Sequence, residues 1–108
     1  MLSKAELESS SYASLLAINR QAFAGAHYEV AYHALAGALH CAIDDDDHAK
    51  MRDVQAIAGH QRDWIDQYRP EHRLSTASAR TRGQNSMFAM LERQAAAAGH
   101  IRPRRTIS

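Results

Sequence analysis

Residues 15–43 constrain the fold more than any other part of this chain. Two stretches rich in alanine and leucine join there around Gly25. In the second stretch the apolar residues recur every three to four positions, which is the spacing of one buried helix face. They are Val30, Ala31, Ala34, Leu35, Ala38, Leu39 and Ala42. Because alanine side chains are small, two such helices can approach closely, and the segment predicts an antiparallel helical hairpin.

The first helix of this hairpin is predicted from about Lys4 to Ala24, and the second from about His27 to Ile43. An N-terminal capping box, Ser3-x-x-Glu6, precedes the first helix. Its inward stripe is predicted as Leu7, Ser11, Leu15, Ile18 and Ala22, widened by Leu16 and Phe23. Gly25 then ends the helix in a left-handed or turn conformation. Gly37 costs up to about 1 kcal/mol inside a helix, a cost that close contact with another helix would explain.

Two further helices are predicted in the second half of the chain. The third begins at Asp46 or Asp47 and is stopped by Pro70, although Gly59 inside it weakens the expectation that it is unbroken. Its apolar residues are Met51, Val54, Ile57, Ala58, Trp64, Ile65 and Tyr68. A polar connection over residues 71–84 contains one helical turn near 76–80. The fourth helix runs over about 84–98, with Gly99 as the residue after its end and Met87, Phe88, Leu91 and Ala95 facing inward.

The predicted class is therefore all-α: a helical hairpin plus two further helices, in a small four-helix bundle or a TPR-like array. Residues 1–99 are expected to form one domain and residues 100–108 a basic flexible tail. Alanine supplies 21 positions and aromatic residues only 6%. Small side chains bury little area, so self-association would add to stability.

Charge is distributed unevenly along the chain. Residues 1–68 carry five lysines and arginines against ten acidic residues, whereas residues 69–108 carry eight arginines against two glutamates. The two halves are expected to attract each other, within a subunit or between subunits. The single Cys41 excludes an intramolecular disulfide, and no signal-peptide pattern or membrane-length apolar run is present. We expect a cytoplasmic protein, and the excess of arginine over lysine together with the alanine content is typical of a GC-rich bacterial genome.

The histidines and the cysteine form no complete chemical motif. His33 and His40 would lie about 10 Å apart along one helix, too far to share a metal ion. Cys41 and His40 are adjacent on a helix and point about 100° apart, so they make no nucleophile–base dyad. We therefore expect no metal, no cofactor and no catalytic residue.

Residues 12–45 resemble one tetratricopeptide repeat (TPR). The segment GAHYEVAYHALAGAL places Tyr28, Ala31, Leu35, Ala38 and Leu39 at the offsets of the second helix of that repeat. In the first helix, Asn19 stands at the usual small-residue position and Ala22 at the usual aromatic one. The resemblance implies binding of a protein or peptide in a groove between helices.

The leading hypothesis is a small non-catalytic protein–protein interaction module, which could also form homo-oligomers. Trp64 and Tyr68 are one helical turn apart in a chain poor in aromatics, which favours an anchor at a core rim or an oligomer interface. With Tyr28 and Tyr32 they are our candidate partner-binding residues.

Two alternatives remain open. The Arg-x6-His spacing of HEPN-family helical ribonucleases occurs at Arg20–His27 and Arg93–His100, as often as chance provides in this composition. The other alternative is a nucleic-acid-associated regulatory bundle that uses the arginines at 80, 82, 102, 104 and 105. These arginines lack interleaved aromatic residues for base stacking, which disfavours nucleic acid as a partner.

Overall fold

Helices account for most of the part of the chain that the structure describes. The structure is a computed structural model, which describes the backbone of residues 4–100 and the side chains of residues 11–99. Its five helices are α1 (Lys4–Ala24), α2 (Tyr28–Asp44), α3 (His48–Tyr68), α4 (Thr76–Thr81) and α5 (Met87–His100). No strand occurs within residues 4–100, so the predicted all-α class is confirmed. The single turn expected near 76–80 is α4, and α5 begins later than the predicted fourth helix.

The long helices form two antiparallel pairs, and the two pairs contact each other mainly through α2 and α3. α1 packs along α2, and α3 packs along α5. α2 also contacts α3 and α5, whereas α4 contacts only α3 to any extent. α1 and α3 lie on either side of α2 without an extensive backbone contact, which leaves space between them.

Three helices end in the same hydrogen-bonded turn. After α1, the amide of His27 donates to Ala22 O and that of Ala26 donates to Phe23 O, and equivalent bonds close α2 and α4. This 6→1 and 5→2 pattern is the Schellman motif, which needs a left-handed residue. That residue is Ala26 (φ 64°), Asp46 (φ 53°) or Gly83 (φ 69°). Gly25 therefore lies in the turn that ends α1, which is one of the two conformations predicted for it, and the left-handed residue is Ala26.

α3 begins at the predicted cap. Asp47 accepts a hydrogen bond from the amide of Lys50 at 3.1 Å, which satisfies one of the free amides of the first turn. The His48 ring then lies 3.2 Å from both Asp46 Oδ1 and the carbonyl oxygen of Gly99. Because α5 continues to His100, Gly99 lies in the last helical turn and not beyond it, contrary to the prediction.

The main core lies where all four long helices meet. It consists of Tyr12, Leu35, Ala38, Leu39, Ala42, Met51, Val54, Ala58, Leu91 and Ala95. Leu15 packs against Gly37 so closely that a Cβ there would lie 3.2 Å from Leu15 Cδ1. Close approach of α1 and α2 therefore accounts for a glycine in mid-helix, as expected from the sequence.

Three residues predicted to face inward are exposed, and Ser11 is one of them. Val30 is 52% exposed and Ile18 is 45% exposed. On α1 the buried face is rotated by one position, because Tyr12 and Asn19 occupy it. Neighbouring helical positions differ by about 100°, so a polar residue that finds partners inside is enough to turn an apolar neighbour outward.

α3 continues unbroken through Gly59. The glycine is needed there because it leaves room for a side chain of α5. A Cβ at Gly59 would lie 2.6 Å from Glu92 Oε2. Arg62, one turn further along, pairs with both Glu92 and Asp63. Burial lowers the pKa of the Arg62 guanidinium, but the hydrogen bonds and charges of Asp63 and Glu92 outweigh it, so the net shift is upward.

Some sequence predictions fall outside the described residues. They are the Ser3 side of the capping box, the side chains of Glu6 and Leu7, and the tail over residues 101–108. Of the expected attraction between halves, the described side chains show an ion pair between Arg73 and Glu29. No helix within residues 4–100 is long and apolar enough to cross a membrane.

We predict that Ala26→Gly stabilises the protein by about 0.5–1 kcal/mol. A left-handed L-residue costs roughly 1–2 kcal/mol, and the greater freedom of glycine in the unfolded chain returns part of that gain. Thermal melts would measure the change. Gly83→Ala is the matched reverse, and it should lower the melting temperature; equal melts for all three proteins would contradict the assignment.

Candidate functional site

A groove runs between α1 and α3 over one face of α2. Its wider part, about 570 Å³, is lined by Arg20, Phe23, Ala24, Ala26, Tyr28, His60, Gln61, Trp64 and Arg69. A narrower part, about 320 Å³, is lined by Asn19, Arg20, Ala56, Ile57, His60 and Gln61. Since the two parts share Arg20, His60 and Gln61, we treat them as one feature, the α1–α3 groove. Their volumes fall within the range of ligand-binding clefts.

A buried pair of amides forms the floor of the groove. Asn19 is fully buried, and its Nδ2 donates to Gln61 Oε1 at 3.0 Å and to the carbonyl oxygen of Ala31 at 2.8 Å. Gln61 Nε2 donates back to Asn19 Oδ1 at 2.8 Å. These bonds join α1, α2 and α3 at one point and satisfy most of the polar atoms of the pair, which offsets the cost of burying them.

One wall of the groove is aromatic. Phe23 of α1 meets Tyr28 edge-on, with ring centroids 4.9 Å apart, and it meets Trp64 in the same way at 5.5 Å. Trp64 also lies 5.1 Å from Tyr68, which is 51% exposed. Behind these rings lies a second small core of Tyr28, Ile65, Leu74 and Phe88. The wall is therefore held rigidly from behind and presents apolar ring surface to the solvent.

The rim of the groove carries two arginines and a histidine. Arg20 and His60 are exposed on α1 and α3, and their side chains make no hydrogen bond or ion pair with any side chain or carbonyl in the described part of the chain. Arg69, at the end of α3, lies over the Trp64 ring at 5.7 Å and donates to the carbonyl of Tyr68. No carboxylate lines either part of the groove. This face of the molecule therefore combines an aromatic wall with two arginines, Arg20 and Arg69, that have no carboxylate partner within the described residues.

Negative charge lies beyond the narrow end of the groove. Tyr12 has a raised pKa, caused first by burial of its phenol and then by the charges of Asp53 and Asp47, against which Arg20 acts. Asp53 precedes Ile57 of the groove by one helical turn. Arg20 and His60 line both parts of the groove, whereas Arg69 lines only the part with the aromatic wall.

Three of the four predicted partner-binding residues meet here. Tyr28 and Trp64 line the groove, and Tyr68 extends the wall beside it. Tyr32 does not belong to it, because its ring contacts Phe88 and His33 on another side of α2.

Sequence reasoning missed the groups that surround these aromatics. Phe23 was assigned only to the core, and Arg20 and His60 were not considered together. Arg69 carried one signal that could have revealed it, since it directly follows Tyr68 in the W-x-x-x-Y-R segment. The Asn19–Gln61 pair had no local signal at all.

Candidate catalytic and metal-binding groups are less organised. Within the described residues no three histidine, cysteine, aspartate or glutamate side chains are grouped in a way that could hold a metal ion. His27, the predicted partner of Arg20, does not line the groove, and the side chain of His100 lies outside the described residues. Arg20 lies with His60 instead.

A second cavity, of about 320 Å³, lies between α4 and α5 and includes Arg73 and Arg82. Both arginines are already engaged there. Arg73 pairs with Glu29, and Arg82 donates to Ser78 Oγ and to the carbonyl of Arg73. The cavity therefore offers less unsatisfied chemistry than the groove.

In comparisons with known proteins, no protein-family model, curated protein or solved structure matches this chain. The geometry of the groove is accordingly the basis for assigning a function.

We predict strong coupling between the two floor amides. Asn19→Leu and Gln61→Met should each cost about 1–3 kcal/mol, because each leaves the other amide buried without its partner. The double variant should cost at least about 0.5 kcal/mol less than the sum of the single variants. Denaturant unfolding would measure all three. Gln67→Met, on the exposed side of α3, is the control with little expected effect, and strictly additive costs would contradict the pairing.

Proposed function

We propose that this protein is a small non-catalytic helical module that binds a peptide or a segment of another protein in the α1–α3 groove. The observation that carries the proposal is the aromatic wall of Phe23, Trp64 and Tyr68, which stays partly open to solvent in a chain with few aromatics. Aromatic side chains dominate the energetics of protein interfaces when a partner covers them. The TPR-like pattern of the hairpin supports the same class of function.

The shape of the groove favours an elongated partner. It lies between two antiparallel pairs of helices, follows the direction of α1 and α3, and remains open at the surface. One bulky side chain would fit against the aromatic wall while the rest of the peptide follows the narrower part. The proposal places this activity in the cytoplasm, and it counts a second copy of the chain among the protein partners.

Selection from a display library of random twelve-residue peptides tests this proposal. The immobilised protein should enrich peptides that share a bulky apolar residue. Their binding should fall at least about tenfold in Tyr68→Ala, because this exposed ring adds contact area without supporting the core.

Met90→Ala is the matched control, since Met90 is an exposed apolar residue on α5 and does not line the groove. It should bind the selected peptides as the unaltered protein does. Failure to enrich any peptide, or equal binding by the Tyr68→Ala and unaltered proteins, would overturn the proposal.

A helical ribonuclease is the second candidate, and one observation favours it. Arg20 and His60 line the same part of the groove, and convergence of an arginine and a histidine is what such an enzyme requires. We expect purified protein to leave a fluorescently labelled RNA intact, because no third group that would orient the histidine is present among the groove residues. Cleavage that disappears in both Arg20→Ala and His60→Ala would establish the ribonuclease and exclude a purely binding role.

A further inference from the structure

We propose that the α1–α3 groove selects acidic peptides, in which one bulky apolar side chain is flanked by aspartate or glutamate. This inference rests on the proposed peptide-binding function and adds the chemistry of the partner. The apolar side chain would cover the aromatic wall, and the carboxylates would reach Arg20, His60 and Arg69 on the rim.

The first argument is that the arginines of this molecule differ in whether a carboxylate or a hydrogen bond already engages them. Arg62 and Arg73 are neutralised by Glu92 and Glu29, and Arg82 is engaged by hydrogen bonds. Arg20 and Arg69, the two that border the groove, have no carboxylate partner within the described residues, a state they share with the exposed Arg52, Arg80 and Arg93. Both of the groove's arginines are therefore available to an incoming anion.

The second argument is the position of Arg20, His60 and Arg69 relative to the aromatic wall. Arg20 lies on α1 one turn before Phe23, and His60 lies on α3 one turn before Trp64. Arg69 covers the opposite end, where its guanidinium lies over the Trp64 ring. An apolar side chain against the wall would thus have positive groups on either side of it along the groove, which fits acidic residues on both flanks.

The third argument separates an acidic peptide from a nucleic acid, which also combines flat rings with negative charge. The whole chain carries thirteen lysines and arginines against twelve aspartates and glutamates, which is far from the strongly basic balance of most nucleic-acid-binding domains. Phe23 packs edge-to-face against Tyr28 and Trp64, so these rings are not arranged as separate stacking platforms. A polyanion would meet repulsion beyond the rim, for instance from Asp53 and Asp63, whereas a short acidic peptide needs only the local cations.

The test uses three blocked nine-residue peptides with a central phenylalanine, flanked on both sides by glutamate, glutamine or lysine. Binding is followed through the fluorescence of Trp64, the single tryptophan of the chain. The glutamate peptide should bind about three- to tenfold more tightly than the glutamine peptide, a range that fits two or three partly exposed ion pairs. The lysine peptide should bind most weakly. The advantage of glutamate should disappear near 1 M salt, where the screening length is about 3 Å.

Charge variants identify the groups responsible. Arg20→Gln with Arg69→Gln should remove the preference for glutamate, so that the glutamate and glutamine peptides bind this variant equally well. Replacing both by lysine should retain most of the preference, because the charges remain. The matched control is Arg80→Gln with Arg93→Gln, which removes the same charge from exposed sites away from the groove and should leave the preference intact.

The outcomes separate this inference from the function on which it rests. If the glutamine and glutamate peptides bind equally well, the groove binds peptides without acidic selectivity and the inference is overturned. If the control pair abolishes the preference as the groove pair does, net charge is the cause and the inference is again overturned. If no peptide binds while a uridine dodecamer quenches Trp64 at low micromolar concentration, the partner is a nucleic acid, and both the inference and the peptide-binding function fail.

Discussion

The hydrogen-bonded pair of Asn19 and Gln61 is the interaction on which the form of this molecule depends. It connects α1 to α3, two helices that flank α2 without packing along each other. A third bond, to the carbonyl of Ala31, ties the same point to α2. An apolar pair could fill this space, but it would tolerate sliding of α1 past α3. Directional hydrogen bonds favour one register, and that register sets the width of the groove above them.

Local sequence signals were sufficient to locate the helices, but they were insufficient to predict which face of α1 is buried. Spacing of three to four residues located α2 and its buried face, except at Val30, and Asp47 was recognised as a cap because capping is a property of adjacent residues. The face of α1 was misjudged because its inward stripe was drawn through Ser11 and Ile18 and did not include Asn19, which is fully buried. Its partner lies 42 residues away, and no periodicity within α1 contains that information.

The same distinction separates the predictable and unpredictable parts of the groove. Trp64 and Tyr68 could be paired from the sequence because residues four apart on a helix share a face. Tyr32 also shares a face with Tyr28, yet it lies against Phe88, because the packing of α5 covers that side of α2. Arg20, His60 and Arg69 converge only through the antiparallel arrangement of α1, α2 and α3. Their convergence is a property of the tertiary fold, and a single sequence carries it only implicitly.

The distribution of charge indicates what the aromatic contacts and the arginine contacts in the groove would each contribute to binding. Because the whole chain is close to neutral, with a formal net charge of +1 at pH 7, its long-range field attracts anions only weakly. Screening also limits the reach of each exposed charge to about 8 Å at physiological ionic strength. The arginines can therefore act only on a partner that has already arrived. Most of the binding free energy must come from covering the rings of Trp64, Phe23 and Tyr68. Arg20 and Arg69 would then discriminate among the apolar segments that fit, which makes them determinants of specificity more than of affinity.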